Sequence, residues 1–120
     1  MKRKILVIED EDTVRETIQI LLEDKGFNVS TSSTGSSIFS MIEKYNPDLI
    51  LTDMFLGKAD GRIICQDVKK NPKTSHIPII IMSGNSEIYN TIQGVGANDV
   101  VLKPFTEQTL LKRVERQLSA

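Results

Sequence analysis

The sequence predicts an α/β protein built on one open, parallel sheet of five strands with helices on both faces. Short apolar runs rich in Ile and Val alternate along the chain with segments of helical periodicity, the pattern of repeated βαβ units. These runs lack polar alternation, as expected for strands buried on both faces. Four of the runs end at charged or hydroxyl side chains. Because ligand sites in open parallel sheets form beyond the carboxyl ends of the strands, a functional site is expected there.

Five segments are predicted to be strands. The second is more polar than the others, which suits a position at the edge of the sheet. The segments are 5–8, 28–32, 49–52, 77–82 and 100–102.

Five helices are expected to follow these strands. The first opens near Asp12 or Thr13, where Thr13 and Glu16 have the spacing of a capping box, and it stops at Gly26. The fourth is the weakest, because glycines break its apolar pattern. The remaining helical segments are 38–45, 60–70, 88–95 with breaks at Gly94 and Gly96, and 106–118.

The bulk composition restricts the function classes. A chain of 120 residues, with 39% hydrophobic and 26% charged residues, is expected to form one domain. A net charge of -1 argues against nucleic-acid binding through the overall field of the protein. No segment reaches the roughly 18 apolar residues that a membrane-spanning helix needs. The single cysteine, Cys65, excludes an internal disulfide, fits a reducing compartment such as the cytoplasm, and is expected to pack in the core.

The residues at the predicted strand ends have the chemistry of a metal-assisted phosphoryl site. They are Glu9, Asp10, Asp53, Ser83 and Lys103. Three carboxylates in one pocket are unfavourable unless one is protonated or a cation binds, and hard oxygen ligands select Mg²⁺ or Mn²⁺. Such a metal neutralises charge on a phosphoryl group. Asp53 is the carboxylate best placed to be the nucleophile, with Lys103 and Ser83 available to bind phosphoryl oxygens.

Each residue also has a simpler explanation. Glu11 and Asp12, which continue the acidic run, are expected only to cap the first helix and complement its dipole. Asp53 could be a loop acid, Ser83 a helix cap and Lys103 a solvated strand end. Their convergence on the carboxyl ends of successive strands favours a shared site.

Five motifs occur in one order along nearly the whole chain. They are ILVIEDE at 5–11, PDLILTD at 47–53, the pair Asp60–Gly61, IIIMSG at 79–84 and GANDVVLKPF at 96–105. Together they resemble the response-regulator receiver domain of two-component phosphorelay systems. The resemblance implies a flavodoxin-like fold with strand order 2-1-3-4-5 and a receiver domain over residues 1–120.

The resemblance assigns roles to individual residues. Asp53 matches the phosphoacceptor, Ser83 the switch hydroxyl and Lys103 the lysine that pairs with the phosphate. The peptide bond between Lys103 and Pro104 is expected to be cis.

The resemblance also implies a metal site. Glu9 and Asp10 match the acidic pair that holds Mg²⁺ together with the acceptor Asp53. The backbone carbonyl of Phe55 matches the main-chain ligand of the family. The same oxygens would suit Mn²⁺.

The implied function is that of a phosphoryl acceptor and switch, not a multi-turnover enzyme. The expected donor is a phosphohistidine on a sensor histidine kinase or a phosphotransfer protein, and slow self-hydrolysis of the acyl phosphate is expected. The lone His76 is expected on the surface and not as that donor. The sequence leaves open the output partner, a separate effector domain, and a homodimer through the fourth and fifth helices.

Two other functions compete with this one. The first is a protein-interaction module on the same fold that works without phosphorylation. The second is a small Mg²⁺ phosphohydrolase, which ranks last because no histidine is placed as a base and the short chain leaves no cap domain.

Three positions depart from the usual residues of the family. Glu9 stands where aspartate is usual and reaches one methylene further, so its metal contact is either direct or through water. Gly57 stands where proline is usual, which is expected to loosen the loop. Val100 stands where an aromatic ring often moves on activation, so Tyr89 in the fourth helix is an alternative contributor to the output surface.

Overall fold

A computed structural model describes residues 2–90 and 92–119. Its strands are β1 (Lys4–Ile8), β2 (Asn28–Ser32), β3 (Leu49–Asp53), β4 (Phe55–Leu56), β5 (Ala59–Asp60), β6 (Ile79–Ser83) and β7 (Asp99–Leu102). Five of them form a parallel sheet in the order β2-β1-β3-β6-β7. Counted over this sheet alone, the order is 2-1-3-4-5, so the expected sheet and its polar edge strand are confirmed. The bounds 1 and 120 of the predicted domain lie outside the described residues.

The α-helices of the described chain lie on both faces of this sheet. They are α1 (Asp12–Asp24), α2 (Ile38–Tyr45), α3 (Gly61–Lys70), α4 (Ile92–Val95) and α5 (Glu107–Leu118). Side chains of α1 and α5 pack on one face, and those of α2, α3 and α4 pack on the other. Within residues 2–90 and 92–119, none of the helices has the length and apolar character needed to cross a bilayer.

Alternate residues of β1 enter opposite cores. Ile5 and Val7 are buried with side chains of α1 and α5, whereas Leu6 and Ile8 are buried with those of α2 and α3. Burial of each such side chain contributes about 1.5–3 kcal/mol. The strand that ends at Glu9 is therefore fixed from both faces.

The capping box predicted at the start of the first helix is wrong. α1 begins at Asp12, and its N-cap residue is Glu11, which makes no side-chain capping bond. Thr13 lies inside the first turn, where its carbonyl accepts a hydrogen bond from the Thr17 hydroxyl. Asp12 forms an ion pair with Arg15, so local charge pairing takes the place of the expected cap.

The loop after β3 contains a hairpin that the sequence did not predict. β4 and β5 pair antiparallel and are joined by a two-residue turn at 57–58. Gly57 has a φ of 65°, which glycine adopts readily and which proline cannot, since its ring fixes φ near about -65°. A Cβ at Gly57 would lie 4.0 Å from Oδ2 of Asp10. The glycine thus makes a tight turn beside the acidic cluster, and the loosening of the loop stays a prediction.

The predicted fourth helix is divided into two short pieces. A 3₁₀ turn over Ser86–Asn90 precedes α4, which has four residues. We predicted that Gly94 breaks the helix, but it lies inside α4. Gly96 follows α4 with a φ of 78°, as is common after a helix end. Ile88 of the 3₁₀ turn is buried in the same cluster as Val100, so the segment is anchored by core packing.

Candidate functional site

Four of the predicted side chains meet at the carboxyl edge of the sheet. Glu9 and Asp10 follow β1, Asp53 is the last residue of β3, and Lys103 follows β7. One carboxylate oxygen from each of the three acids lies within 4.8 Å of the others. The predicted cluster is therefore present in the structure, with its one lysine directly beside it.

The three acids differ in their exposure to solvent. Glu9 is fully buried, Asp53 is largely buried, and Asp10 is exposed. Two unit charges about 4 Å apart repel by roughly 4 kcal/mol at an effective dielectric of 20. The cluster therefore concentrates negative charge in a pocket that is open to solvent on the side of Asp10.

Lys103 is shared between two of the acids. Its Nζ donates a hydrogen bond to Oε1 of Glu9 at 2.8 Å and lies 3.2 Å from Oδ1 of Asp53. Burial lowers the pKa of Lys103, but the hydrogen bond to Glu9 and the charges of both acids outweigh it and raise the pKa overall. The side chain is thus an ammonium at neutral pH. The peptide bond from Lys103 to Pro104 is cis, as expected.

Glu9 is hydrogen-bonded at only one of its two carboxylate oxygens among the described residues. Its Oε2 is buried and has no hydrogen-bond partner among the described residues. Burial raises the pKa of Glu9 to about 7, and the charge of Asp53 adds to the rise, although the hydrogen bond from Lys103 lowers it. A buried, unpaired oxygen beside two further carboxylates is a donor set for a hard divalent cation, so these residues fit Mg²⁺ or Mn²⁺.

The Ser83 hydroxyl bonds to its own loop. It accepts a hydrogen bond from the backbone N–H of Asn85 at 3.0 Å and is 3.3 Å from the Asn85 carbonyl. Ser83 ends β6, the strand beside Asp53, and its side chain is buried. The strand end is where we expected it, while a contact between this hydroxyl and a phosphoryl group stays a prediction.

A comparison with known proteins identifies the family. The family model described as the response regulator receiver domain matches residues 5–115 of the chain. The chain belongs to this family. A curated relative, the DNA-binding dual master transcriptional regulator RpaA of Synechocystis, is 32% identical over 96% of this chain and 48% of its own length. The chain spans about half the length of the curated relatives it matches.

Solved structures of receiver domains have the same fold. The chemotaxis response regulator CheY4 of Vibrio cholerae is 26% identical, with 98% of this chain and 100% of that chain covered at a TM-score of 0.90. The receiver domain of the sensor histidine kinase PA1611 of Pseudomonas aeruginosa is 25% identical, with both chains fully covered at a TM-score of 0.89. That structure contains a magnesium ion coordinated in the active-site cleft. The flavodoxin-like fold and the assignment to two-component signalling are thus confirmed.

The loop after β3 of this receiver domain is held by a close backbone contact that sequence reasoning missed. A Cβ on Gly61 would lie 2.1 Å from the carbonyl oxygen of Asp53, so only glycine fits there. The N–H of Gly61 donates to the carbonyl of Met54 at 2.7 Å, and Asp60 caps α3 through the N–H of Arg62. The adjacent pair Asp60–Gly61 was the available signal: a capping residue followed by a residue without a side chain.

The structure also shows where Phe55 and Val100 lie, while their predicted roles stay predictions. Phe55 lies in β4 with an exposed side chain, and the role of its carbonyl as a metal ligand stays a prediction. Val100 is fully buried in the cluster that also contains Ile88.

Cys65 is buried as expected, and its thiol donates to the carbonyl of Val95 at 3.3 Å.

A second charged cluster, at the amino end of β7, was not predicted. Asp99 is buried and accepts hydrogen bonds from the N–H of Val100, from Arg113 at 2.6 Å, from Gln117 at 3.1 Å and from Arg116. Burial alone would raise the pKa of Asp99, but these hydrogen bonds outweigh it and lower the pKa below its usual value. This cluster ties β7 to α5 at the edge of the sheet opposite the acidic pocket.

Proposed function

We propose that this receiver domain accepts a phosphoryl group on Asp53 from a phosphohistidine of a sensor histidine kinase or phosphotransfer protein. The observation that carries the proposal is a strand-end carboxylate 3.2 Å from the ammonium of Lys103 and within 4.8 Å of two further acids. Such a carboxylate is partly accessible and lies next to a cation able to bind the incoming oxyanion.

The proposed reaction is a displacement at phosphorus. One oxygen of Asp53 forms the new O–P bond while the P–N bond to the donor imidazole breaks, and the bonding electron pair leaves on the imidazole nitrogen. The acyl phosphate moves negative charge from the carboxylate to the phosphoryl oxygens. Lys103, already beside Asp53, is in reach of one of them.

The same proposal includes a resident metal ion. Glu9, Asp10 and Asp53 would hold Mg²⁺, with the carbonyl of Phe55 as a main-chain ligand, and Mn²⁺ would suit the same oxygens. Bound there, the ion neutralises charge on the transferring phosphoryl group. The buried, unpaired Oε2 of Glu9 supports the site from within this chain.

Output is proposed to begin at Ser83. If its hydroxyl turns to a phosphoryl oxygen, it gives up its bond with Asn85 and frees the start of the 3₁₀ turn at Ser86. The 3₁₀ turn and α4 would then change the surface offered to a partner, to an effector domain, or to a second copy through α4 and α5. DNA binding in a relative such as RpaA is proposed to belong to sequence outside the part that matches this chain.

The domain is proposed to accept a phosphoryl group and to hydrolyse its own acyl phosphate slowly. It is proposed to do so in the cytoplasm. A single domain over residues 1–120 is part of this proposal. Within residues 2–90 and 92–119, no histidine lies at the cluster as a base for rapid hydrolysis: the one histidine of the sequence, His76, is exposed in the connection between α3 and β6.

Incubation with a small phosphodonor and Mg²⁺ tests the proposal. The wild type should gain one phosphoryl group by intact mass, and Asp53→Asn should gain none. Glu11→Gln is the matched control, since Glu11 is an exposed acid of the same run without a side-chain cap bond, and it should be labelled like the wild type. Undiminished labelling of Asp53→Asn would refute the assignment, and an unlabelled wild type would favour the phosphorylation-independent interaction module.

A further inference from the structure

Arg15 is a mostly buried cation beside the acidic run, and the proposed reaction gives it no part. It lies in the first turn of α1, where 19% of its side chain is exposed. Its Nη1 donates to the backbone carbonyl of Glu9 at 2.9 Å, and its Nη2 donates to Oδ1 of Asp12 at 2.5 Å. The guanidinium therefore spans the loop that joins β1 to α1.

The contact with Asp12 does not explain why the arginine is held there. The Asp12 side chain is 81% exposed, and ion pairs with exposed acids contribute little to stability. The bond to the carbonyl of Glu9 fills a gap in the sheet. The N–H of Glu9 bonds to the carbonyl of Ser32 in β2, and in a parallel ladder the N–H of Thr34 would bond to the carbonyl of Glu9 in turn. That N–H bonds to the Ser32 hydroxyl instead, so Arg15 supplies the donor that the strand does not.

Holding this carbonyl also fixes the direction of the next residue. The carbonyl of Glu9 and the N–H of Asp10 belong to one planar peptide group, so a bond to the oxygen fixes the plane from which Asp10 starts. Asp10 is exposed, and neither its carboxylate nor its N–H has a hydrogen-bond partner among the described residues. Its carboxylate nevertheless lies within 4.8 Å of oxygens of Glu9 and Asp53, two acids that repel it. Without a restraint on its backbone, this repulsion would turn Asp10 out to solvent.

We propose that Arg15 is a positioning residue for the metal site. Its guanidinium holds the peptide plane between Glu9 and Asp10, so that the Asp10 carboxylate faces the pocket before a metal ion binds. The inference rests on the proposed metal-assisted function and adds to it the group that preorganises the exposed ligand. A fixed cation thus favours the binding of a second cation through geometry, against the sign of its own charge.

The Mg²⁺ affinity of Arg15→Met separates this role from a simple charge effect. Methionine has a similar helix propensity and lacks the guanidinium. If Arg15 acted only through its charge, its removal would make the pocket more negative and Mg²⁺ would bind more tightly. If Arg15 positions Asp10, Mg²⁺ binding followed by amide chemical shifts should weaken about tenfold. Unchanged or tighter binding would overturn the proposal.

Asp12→Asn is the matched control for this measurement. It removes the charge of the exposed partner of Arg15 and leaves the bond from Arg15 to the carbonyl of Glu9. Because an exposed charge is screened by solvent and salt, the Mg²⁺ affinity of this variant should stay within about threefold of the wild type. A loss as large as that in Arg15→Met would assign the effect to the ion pair and overturn the proposal.

Backbone order at Asp10 tests the same role without metal. Nitrogen-15 relaxation of the metal-free wild type should give the Asp10 N–H an order parameter of about 0.85, as in rigid backbone. The value should fall below about 0.6 in Arg15→Met and stay at the wild-type level in Asp12→Asn. A mobile Asp10 N–H in the metal-free wild type would overturn the proposal with no substitution, so the test holds even if a variant does not fold.

These readouts also separate the inference from the proposed function. A wild type that bound no Mg²⁺ would refute the metal site and the role of Arg15 with it. If Mg²⁺ bound and Asp53 were labelled, while Arg15→Met matched the wild type in affinity and in order, only the positioning role would fail. If Asp53 were never labelled, while Arg15→Met lost both affinity and order, the phosphoacceptor would fail and the positioning role would stand.

Discussion

Two acidic side chains are buried in this receiver domain to almost the same degree, in opposite surroundings. Glu9, at the carboxyl edge of the sheet, is 0% exposed, and Asp99, at the amino edge, is 6% exposed. Asp99 receives hydrogen bonds from two arginines, a glutamine and a backbone N–H. Glu9 receives one from Lys103, and its second oxygen has no partner among the described residues. The pKa of Asp99 is accordingly lowered, and that of Glu9 is raised to about 7.

The difference distinguishes a carboxylate whose hydrogen bonds are completed within the fold from one that a bound cation could complete. A buried carboxylate with all its hydrogen bonds ties two elements together, here β7 and α5. A buried carboxylate left incomplete holds unfavourable electrostatic energy that a bound cation can relieve. Both clusters are ion pairs at the end of a strand, so burial and charge alone do not tell them apart; the number of satisfied oxygens does.

The largest expected effect is on stability in the absence of metal. Asp99→Asn should lower the free energy of unfolding by about 3 kcal/mol, since it removes the charge that pairs with Arg113 and Arg116. Glu9→Gln should not lower it, because the substitution removes a carboxylate whose raised pKa makes the charged form unfavourable in the folded state. Urea unfolding with a chelator present measures both variants, and equal losses would remove the distinction.

Mg²⁺ should stabilise the protein through the acidic pocket alone. A ligand at one hundred times its dissociation constant adds about 2.7 kcal/mol to the free energy of unfolding. The thermal midpoint of the wild type should therefore rise with Mg²⁺, and that of Asp10→Ala should rise much less. Without metal, Asp10→Ala is expected to match or exceed the wild type, because one repelling charge is gone. An equal response of the two proteins to Mg²⁺ would speak against metal binding at Asp10.

The two acids should give opposite limbs of the pH dependence of stability. The folded pKa of Glu9 is about 7 against a usual 4.5, so the folded state binds more protons between these values and stability falls as pH rises through them. The folded pKa of Asp99 lies below the usual 3.8, so its contribution is complete above that value and is lost as pH falls below it. Unfolding of metal-free protein from pH 3 to 8 should show both limbs. Glu9→Gln should remove the upper limb and Asp99→Asn the lower, and an unchanged upper limb in Glu9→Gln would contradict this explanation.

The smallest expected effect is a local change on activation. A beryllium-fluoride mimic of the phosphoryl group should alter amide hydrogen exchange between Ser83 and Gly96, with little change around Asp99. The short 3₁₀ turn and four-residue α4 should be the least protected elements before activation. Ser83→Ala should abolish the difference. The mechanism is wrong if the strand around Val100 changes most while the 3₁₀ turn is unaffected.

The sheet and the acidic pocket could be predicted from the sequence because both depend on the local pattern of apolar and polar residues. Apolar runs define strands, and the residue after each run defines the carboxyl edge, so Asp53 and Lys103 could be placed together across fifty positions of chain. The Asp99 cluster could not be predicted in this way. Its arginines lie 14 and 17 positions downstream on a helix, and no local pattern reveals which acid they face.

The other misses have equally specific causes. β4 and β5 have two residues each, too short to show a period, so the turn at Gly57 carried the only signal. α1 begins at Asp12, as expected, but the capping box at Thr13 does not form, because Thr13 lies inside the first turn, where Asp12 pairs with Arg15. The unpaired oxygen of Glu9 is a property of packing, since it depends on what the neighbouring strands leave unfilled.

Chemical mapping of the acyl phosphate tests the central claim most directly. Borohydride reduces an aspartyl phosphate to homoserine, which a peptide mass spectrum assigns to one position. After treatment with phosphodonor and Mg²⁺, homoserine should appear at position 53, should disappear when Mg²⁺ is chelated beforehand, and should be absent from position 10. Homoserine at position 10, or a labelled protein with none at position 53, would contradict the assignment of Asp53 as acceptor and of its neighbours as the metal site.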